Sequence, residues 1–324
     1  MTNPQCKITV ATVTWNAAAV LQRTLDSVAE QDYPFVQHVV VDGCSSDDTL
    51  TLLRQYQERE STEGIERHEI EVLSESDKGL YDAMNKAILM ADGDYIIFLN
   101  AGDRFHQRDT LSKIADKIAE ADSQIPNSKS KLSTDVSDSP SKIEGVDAEF
   151  TTQTGAYDNS QISNFKSEPQ ACQSNLPAVV YGDTDIVDDQ GRFLRKRHLR
   201  PPKELHWRDY RRGMLVCHQA FFVRTDLATA NPYNLRYRYS ADYDWSIRVM
   251  KQGEKQNQPI VNASIVVADY LDGGMTVKHH RRSLLERLRI MACHYGWPTA
   301  VAMHLSFIWR ALKRKFSKGK RKTT

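Results

Sequence analysis

Hydrophobic positions along the first 120 residues switch repeatedly between two periods. Lys7–Thr14 (KITVATVT) is a β-branched run that reads as a buried strand. Val20, Leu21, Leu25 and Val28 then recur at helical spacing, with Asn16 placed to cap that helix. Val36–Val41 (VQHVVV) is a second strand that ends at Asp42. Ser46 or Asp47 can open the next helix, which runs through Leu50, Leu53 and Tyr56. Glu69–Leu73 is a short third strand, and Leu80–Met90 a third helix with Ala83, Met84, Ala87 and Ile88 on one side. Tyr95–Leu99 (YIIFL) is a fourth strand. This β-α-β-α-β-α-β order with short connections predicts an α/β fold, a mostly parallel sheet covered by helices on both faces.

Residues 121–176 break both periods. The stretch holds 11 Ser but only nine Ile, Leu, Val or Phe, so it reads as a mobile low-complexity insertion. The ordered pattern resumes at Val179. VVYGDTDIVDDQGRFLRKR predicts two strands turning at Asp189-Gln190-Gly191, CHQAFFVR (Cys217–Arg224) a further strand, and Asp242–Lys251 a helix. Ser283–Phe316 reads as helical and ends in a basic stretch. Four regions follow: 1–120, the half that carries the four strand ends; 121–176, the insertion; 177–280, a second half of the same domain; and 281–324, a helical basic tail.

Charge changes this picture only at the end of the chain. Lys+Arg 43 against Asp+Glu 42 give +1 overall, yet residues 281–324 carry 12 Lys/Arg and one acid, Glu286. With Trp297, Val301, Leu305, Ile308 and Trp309 before seven Lys/Arg in 313–322, the tail reads as a helix for an anionic membrane surface. Nucleic acid would meet the same charge, but nothing in the remaining chemistry supports it, so no nucleic-acid partner is expected. The five cysteines are scattered without CxxC spacing, which excludes a disulfide framework or zinc site of familiar pattern. There is no signal-peptide pattern and no run of 18 uncharged apolar residues. The expectation is a cytoplasmic body with peripheral contact to the inner face of the cell membrane.

In an open parallel sheet, ligands bind beyond the carboxyl ends of the strands. Those ends are polar here: Thr14-Trp15-Asn16, Asp42-Gly43, Ser76-Asp77-Lys78 and Asn100-Ala101-Gly102-Asp103. TWNAAAV follows the first strand in place of GxGxxG, which disfavours a dinucleotide dehydrogenase, and no GxxxxGK[ST] is present.

ITVATVTWNAAAVLQRTLDSVAEQ, VVVDGCSSDDT and SESDKGLYDAMNKAILMADGDYIIFLNAGD together resemble the family 2 glycosyltransferases, and SADYDWSIR extends the match. The resemblance implies the GT-A nucleotide-sugar fold and a nucleotide diphosphate sugar as donor. It also implies inverting transfer of a monosaccharide to a hydroxyl of a glycan or lipid-linked acceptor, in bacterial-type surface polysaccharide synthesis. By the same resemblance Asp42 reads the nucleobase, Thr14 and Asn16 line the nucleotide, and Lys78 meets base or diphosphate. Where the family commonly shows D-x-D, this chain has Asn100 for the first acid and Gly102 for the second. Asn100 is then a ribose contact, and Asp103 the carboxylate left to hold Mg²⁺ or Mn²⁺. Asp242 matches the position of the general base, with Asp244 as the alternative two residues on. Arg248 is either a diphosphate partner or a surface charge. His218-Gln219 and His279-His280 are further candidates, the second pair for a metal. A nucleotide-sugar-binding or nucleotidyl-type protein without glycosyl transfer and a membrane-docking scaffold both stay open as alternatives.

Overall fold

The computed structural model describes residues 6–62, 68–124, 176–273 and 280–320. The insertion expected at 121–176 falls, from 125 to 175, outside the described residues, as does His279.

The β-branched runs form the strands that their pattern predicts. β1 (Ile8–Thr14) and β2 (Val36–Asp42) are buried at every position, as strands covered on both faces must be. β3 (His68–Ser74) extends this parallel set on one side and β4 (Tyr95–Phe98) on the other. Side chains alternate across the sheet. On one face Val40 of β2 packs with Leu21 and Leu25 of α1 (Ala18–Ala29) and with Leu53 and Tyr56 of α2 (Thr49–Thr62). Val39 and Val41 belong to the main core, which also holds Met84, Ala87 and Ile88 of α3 (Leu80–Met90).

The sheet is mixed: the first four strands are parallel, as expected, and the rest combines antiparallel pairs with one further parallel pair. Its order is β3-β2-β1-β4-β8-β6-β9-β5, with β7 paired to β6. β5 (Arg104–Phe105) and α4 (Thr110–Gln124) follow β4. β6 (Val179–Val187) and β7 (Phe193–Lys196) form the expected antiparallel pair. β8 (Phe221–Arg224) enters antiparallel between β4 and β6, because a 3₁₀ turn at His218–Ala220 leads into it rather than a crossover helix. A short helix α5 (Thr225–Ala230) precedes α6 (Ala241–Lys255). β9 (Ile260–Leu271) runs parallel to β6 along 12 residues, a strand the sequence pattern did not reveal.

An aromatic cluster seats α6. Trp245 is fully buried, stacks on Tyr233 at 4.8 Å and meets Phe98 of β4 edge-on at 5.9 Å. Gly253 completes the seat, since a Cβ there would stand 2.4 Å from the Ala178 Cβ. Burying Trp245 contributes about 3 kcal/mol, so the helix bearing both Asp242 and Asp244 is held by core packing. The tail is helical as expected, in two helices, α7 (His280–Tyr295) and α8 (Trp297–Lys320), separated at Gly296, whose φ of +82° suits glycine. Among the described residues no helix is long and apolar enough to cross a membrane.

Candidate active site

Strand register builds the first part of the site. Thr14 of β1 is the lateral partner of Asp42 in β2, and Asp42 is that of Ser74 in β3, so three polar side chains end level on one rim. The Asp42 carboxylate is fully buried and accepts from the Ser45 backbone N–H at 2.9 Å, the Ser74 hydroxyl at 2.8 Å and the Ser45 hydroxyl. It therefore organises its own loop, leaving little lone-pair capacity for a base. Thr14 keeps a buried Oγ1 with no hydrogen-bond partner among the described residues.

The loops after β1 and β2 are laced together. Asn16 adopts a φ of +48°, and its Oδ1 accepts from the Ser46 N–H at 2.8 Å while its own N–H donates to Ser45 Oγ. Asn16 does not cap α1. That role belongs to Asp47, whose Oδ2 accepts from the Ala18 N–H at 3.1 Å, while its Oδ1 accepts from the Thr49 N–H and so steadies the start of α2. Beside these loops stand the exposed Trp15 indole and the exposed Lys78. The Lys78 backbone N–H donates to Asp82 at 2.9 Å, which fixes the loop and leaves the ammonium toward solvent.

The second part lies where β4, the turn before β8, α3 and α6 converge. Asn100 Nδ2 donates to His218 Nε2 at 3.0 Å, which directs the Nδ1–H of that ring to Asp242 Oδ2, 3.5 Å away. The Tyr81 hydroxyl, at the start of α3, donates to Asp242 Oδ1 at 3.1 Å. Burial pushes the Asp242 carboxyl up, but the hydrogen bond and charge of His218, with Arg287 and Tyr81, outweigh it and hold the group below its ordinary value. Burial and the Asp242 charge push the Tyr81 hydroxyl well up, so it stays a donor. Asn100 Oδ1 is buried without a partner among the described residues.

Asp244 faces elsewhere. It accepts from Arg248 Nε at 2.7 Å and pairs with His294 of α7 at 2.8 Å. Burial raises its carboxyl, and the His294 hydrogen bond with the Arg248 charge more than offsets this. Arg248 also donates to the Pro232 carbonyl, so it ties α6 together instead of offering a diphosphate contact.

The metal expectation meets a poor donor set. Asp103 spends both oxygens internally, Oδ2 accepting from Gln219 Nε2 at 2.7 Å and Oδ1 from the Leu271 N–H at 2.9 Å. Burial pushes its carboxyl up to about 6 against these hydrogen bonds. Gly102, at the second acidic position, has a φ of +97° and packs on Leu271 and Val20, so a carboxylate there would be strained. Among the described residues no group of three or more His, Cys, Asp or Glu could hold an ion. As they stand, Asp103 and its described neighbours do not offer a divalent cation a full donor set; the side chains of His279 and His280 lie outside the described residues.

Thr14, Asn16 and Asp42 thus share one rim, and Asn100 and Asp242 one hydrogen-bonded chain through His218. Asp103 stands beside that chain as a buried structural acid. Tyr81 and Trp15 were missed by the sequence reading. Both lie in segments where a strand end gives way to a helix, so an aromatic at that spot was the available signal.

Residues 9–162 match the family model described as glycosyl transferase family 2. A PGL/p-HBAD biosynthesis glycosyltransferase of Mycobacterium tuberculosis is 29% identical over 292 residues, covering 89% of this chain and 85% of its own. The Bacillus subtilis teichuronic acid biosynthesis glycosyltransferase TuaG is 34% identical over 113 residues, 35% of this chain and 42% of its own. Among solved structures, S. aureus TarS 1–349 superposes with a TM-score of 0.56 at 15% identity, covering 93% of this chain and 72% of that one. A mannosyltransferase from Pyrobaculum calidifontis, in complex with GDP-Man and Mn²⁺, reaches 0.50 at 14% identity over 97% of this chain and 80% of its own. The mixed sheet is that of the GT-A fold, and within it residues 9–162 are similar to glycosyl transferase family 2.

Proposed function

We propose that this enzyme is an inverting transferase that moves a monosaccharide from a nucleotide diphosphate sugar to a hydroxyl of a glycan or lipid-linked acceptor in cell-surface polysaccharide synthesis. The observation that carries the proposal is the seating of Asp242. It is a buried carboxylate, ionised at neutral pH, oriented by Tyr81 and His218 within one hydrogen-bonded chain that reaches the β4 strand end. A donor on the rim of Thr14, Asn16, Asp42 and Lys78, with its ribose at Asn100, would present the anomeric carbon toward this group. UDP and UDP-GlcNAc bound to TarS, and GDP-Man bound to the Pyrobaculum enzyme, support a donor of this class.

In the step itself the acceptor oxygen attacks the anomeric carbon from the face opposite the leaving group. The new C–O bond forms as the bond to the diphosphate oxygen breaks, and the nucleoside diphosphate departs with the electron pair. The acceptor proton passes to Asp242, through Oδ2, since Oδ1 already accepts from Tyr81 and the Tyr243 N–H.

The test couples a thermal-shift screen of UDP, GDP and dTDP sugars to a transfer assay with the donor so found. A donor at 100 times its dissociation constant adds about 2.7 kcal/mol to stability. A sugar nucleotide that stabilises the protein, with inversion at the anomeric carbon of the product, supports the reading. Retention of configuration would overturn it.

A further inference from the structure

α8 carries two apolar faces, one of which packs on the core. Ala300 is fully buried, Met303 and Phe307 pack on the core, and His304 bonds back to the Leu284 carbonyl of α7. Those positions, 300, 303, 304 and 307, follow the spacing of a core-facing stripe. A second stripe runs at 297, 301, 305 and 309. Trp297, Val301, Leu305 and Trp309 are 60%, 47%, 62% and 62% exposed. Their four-residue steps put them along one side of the helix for about 18 Å. Large side chains gathered in one exposed line, rather than scattered singly, mark a contact surface.

The sequence beside the stripe says what kind of partner fits. From 310 to 322 the chain reads RALKRKFSKGKRK, with Arg310, Lys313, Arg314, Lys315, Lys318, Lys320, Arg321 and Lys322 and no acid. A second copy of this chain would bring the same positive charge to the contact and be repelled. An aqueous acidic polymer would meet the charge but leave the tryptophans and leucine in water. An anionic lipid surface satisfies both, because apolar side chains and indoles enter the headgroup boundary while lysine and arginine pair with the lipid charges.

We infer that α8 is a membrane-surface anchor, lying along anionic phospholipid with Trp297, Val301 and Leu305 inserted and the following basic stretch on the headgroups. The inference rests on α8 alone and is independent of the transferase reading. The anchor adjoins the catalytic half, because α7, against which α8 packs, bonds to the segment leading into α6: Ser283 Oγ lies 2.9 Å from Ser240 Oγ, and Glu286 accepts from the Arg238 and Tyr239 N–H groups.

The experiment is flotation of the full chain with vesicles of phosphatidylcholine containing phosphatidylglycerol, against phosphatidylcholine alone, with tryptophan emission recorded in parallel. The protein should float with the anionic vesicles only, shift its emission to the blue, and dissociate as salt is raised. Val301→Glu/Leu305→Glu, at exposed positions that leave the fold intact, should weaken binding at least tenfold, roughly the loss of two buried apolar side chains. Lys313→Gln/Arg314→Gln/Lys315→Gln should weaken it on anionic vesicles by a similar factor and reduce its salt dependence. Equal binding to neutral vesicles, or unchanged binding by the Val301/Leu305 variant, would overturn the inference. So would a concentration-dependent dimer in light scattering that the same variant abolishes, since the stripe would then be a contact between copies. Thermal stabilisation of each variant by the donor reports separately on the catalytic reading.

Discussion

Where the loops after β1 and β2 meet, the bonds are made between residues close in sequence: Asn16 to Ser46 spans 30 positions, Asp47 to Ala18 spans 29, and Ser45 to Asp42 only 3. Where β4 meets α6, the partners come from opposite ends of the domain. Asn100 and His218 are 118 positions apart, Asp103 and Gln219 are 116 apart, and Tyr81 and Asp242 are 161 apart. The first region is a local construction that a short β-α-β unit can build by itself. The second exists only once β8 has entered the sheet and Trp245 has seated α6. The hydrogen bonds of the first region can therefore survive damage to the second half, whereas the Asp242 cluster depends on the whole sheet.

The largest test of that division is Asp242→Asn. It keeps shape and loses the proton acceptor, so transfer should fall by about 10² to 10⁴. Donor affinity, read by thermal shift, should stay within a few-fold of the parent. Equal losses in both assays would erase the distinction between the two regions. Asp244→Ala should act in the opposite sense, on folding. Stranding Arg248 and His294 beside α6 should cost about 3 kcal/mol in urea denaturation, with turnover per folded molecule preserved. If that variant folds normally and is inactive, the base lies two residues further on.

Asp103 offers a pH test of burial in the second region. Its folded carboxyl titrates near 6, above the 3.8 of an ordinary aspartate, so the folded state binds the proton more tightly than the unfolded one. Its contribution to stability is full below about pH 4, declines through pH 4 to 6, and is flat above. The decline amounts to at most about 3 kcal/mol. Asp103→Asn should lack that slope, so the difference in melting temperature between parent and variant should itself change through pH 4 to 6. A parallel pair of curves would mean that Asp103 titrates like an exposed acid. In the first region, Asp42→Ala leaves Ser45 and Ser74 without their shared acceptor and should cost about 1 to 2 kcal/mol while weakening donor binding. Donor binding unchanged by that substitution would mean that the loop holds its shape without its central carboxylate.

The smallest effect expected is from chelation. Because the described donor set does not suit a divalent ion, nucleoside diphosphate affinity measured calorimetrically should be nearly the same in EDTA and in Mn²⁺. A tenfold gain with Mn²⁺ would restore a metal, with ligands drawn from beyond Asp103.

The same contrast explains what could be read from the sequence. β1 to β4 and α1 to α3 show clean periods, and the strand ends of an open sheet have a general meaning, so Thr14, Asp42 and Asn100 could be gathered before any coordinates were known. Asn16 misled because an asparagine before a helix has more than one use. Its positive φ bends the chain across the neighbouring loop, and the cap comes from Asp47, 29 residues on. β9 was invisible because its burial alternates irregularly, with register shifts against β6 and Ser264 at a φ of +57°. Tyr81 and His218 meet Asp242, and Gln219 meets Asp103, only through tertiary contact, which no local pattern encodes. The family resemblance supplied Asp242, but not the two groups that orient it.

The glycine between α7 and α8 has a consequence for how this enzyme can change. Three contacts that steady the acid-bearing helix lie before Gly296: His294 on Asp244, Glu286 on the Arg238–Tyr239 backbone, and Ser283 against Ser240. After it, Ala300, Met303 and Phe307 of α8 pack on the core, while Val301 and Leu305 stand exposed. Those exposed positions can drift in composition without disturbing the three contacts. A single left-handed residue therefore separates the helix that braces α6 from the helix that carries the exposed apolar stripe.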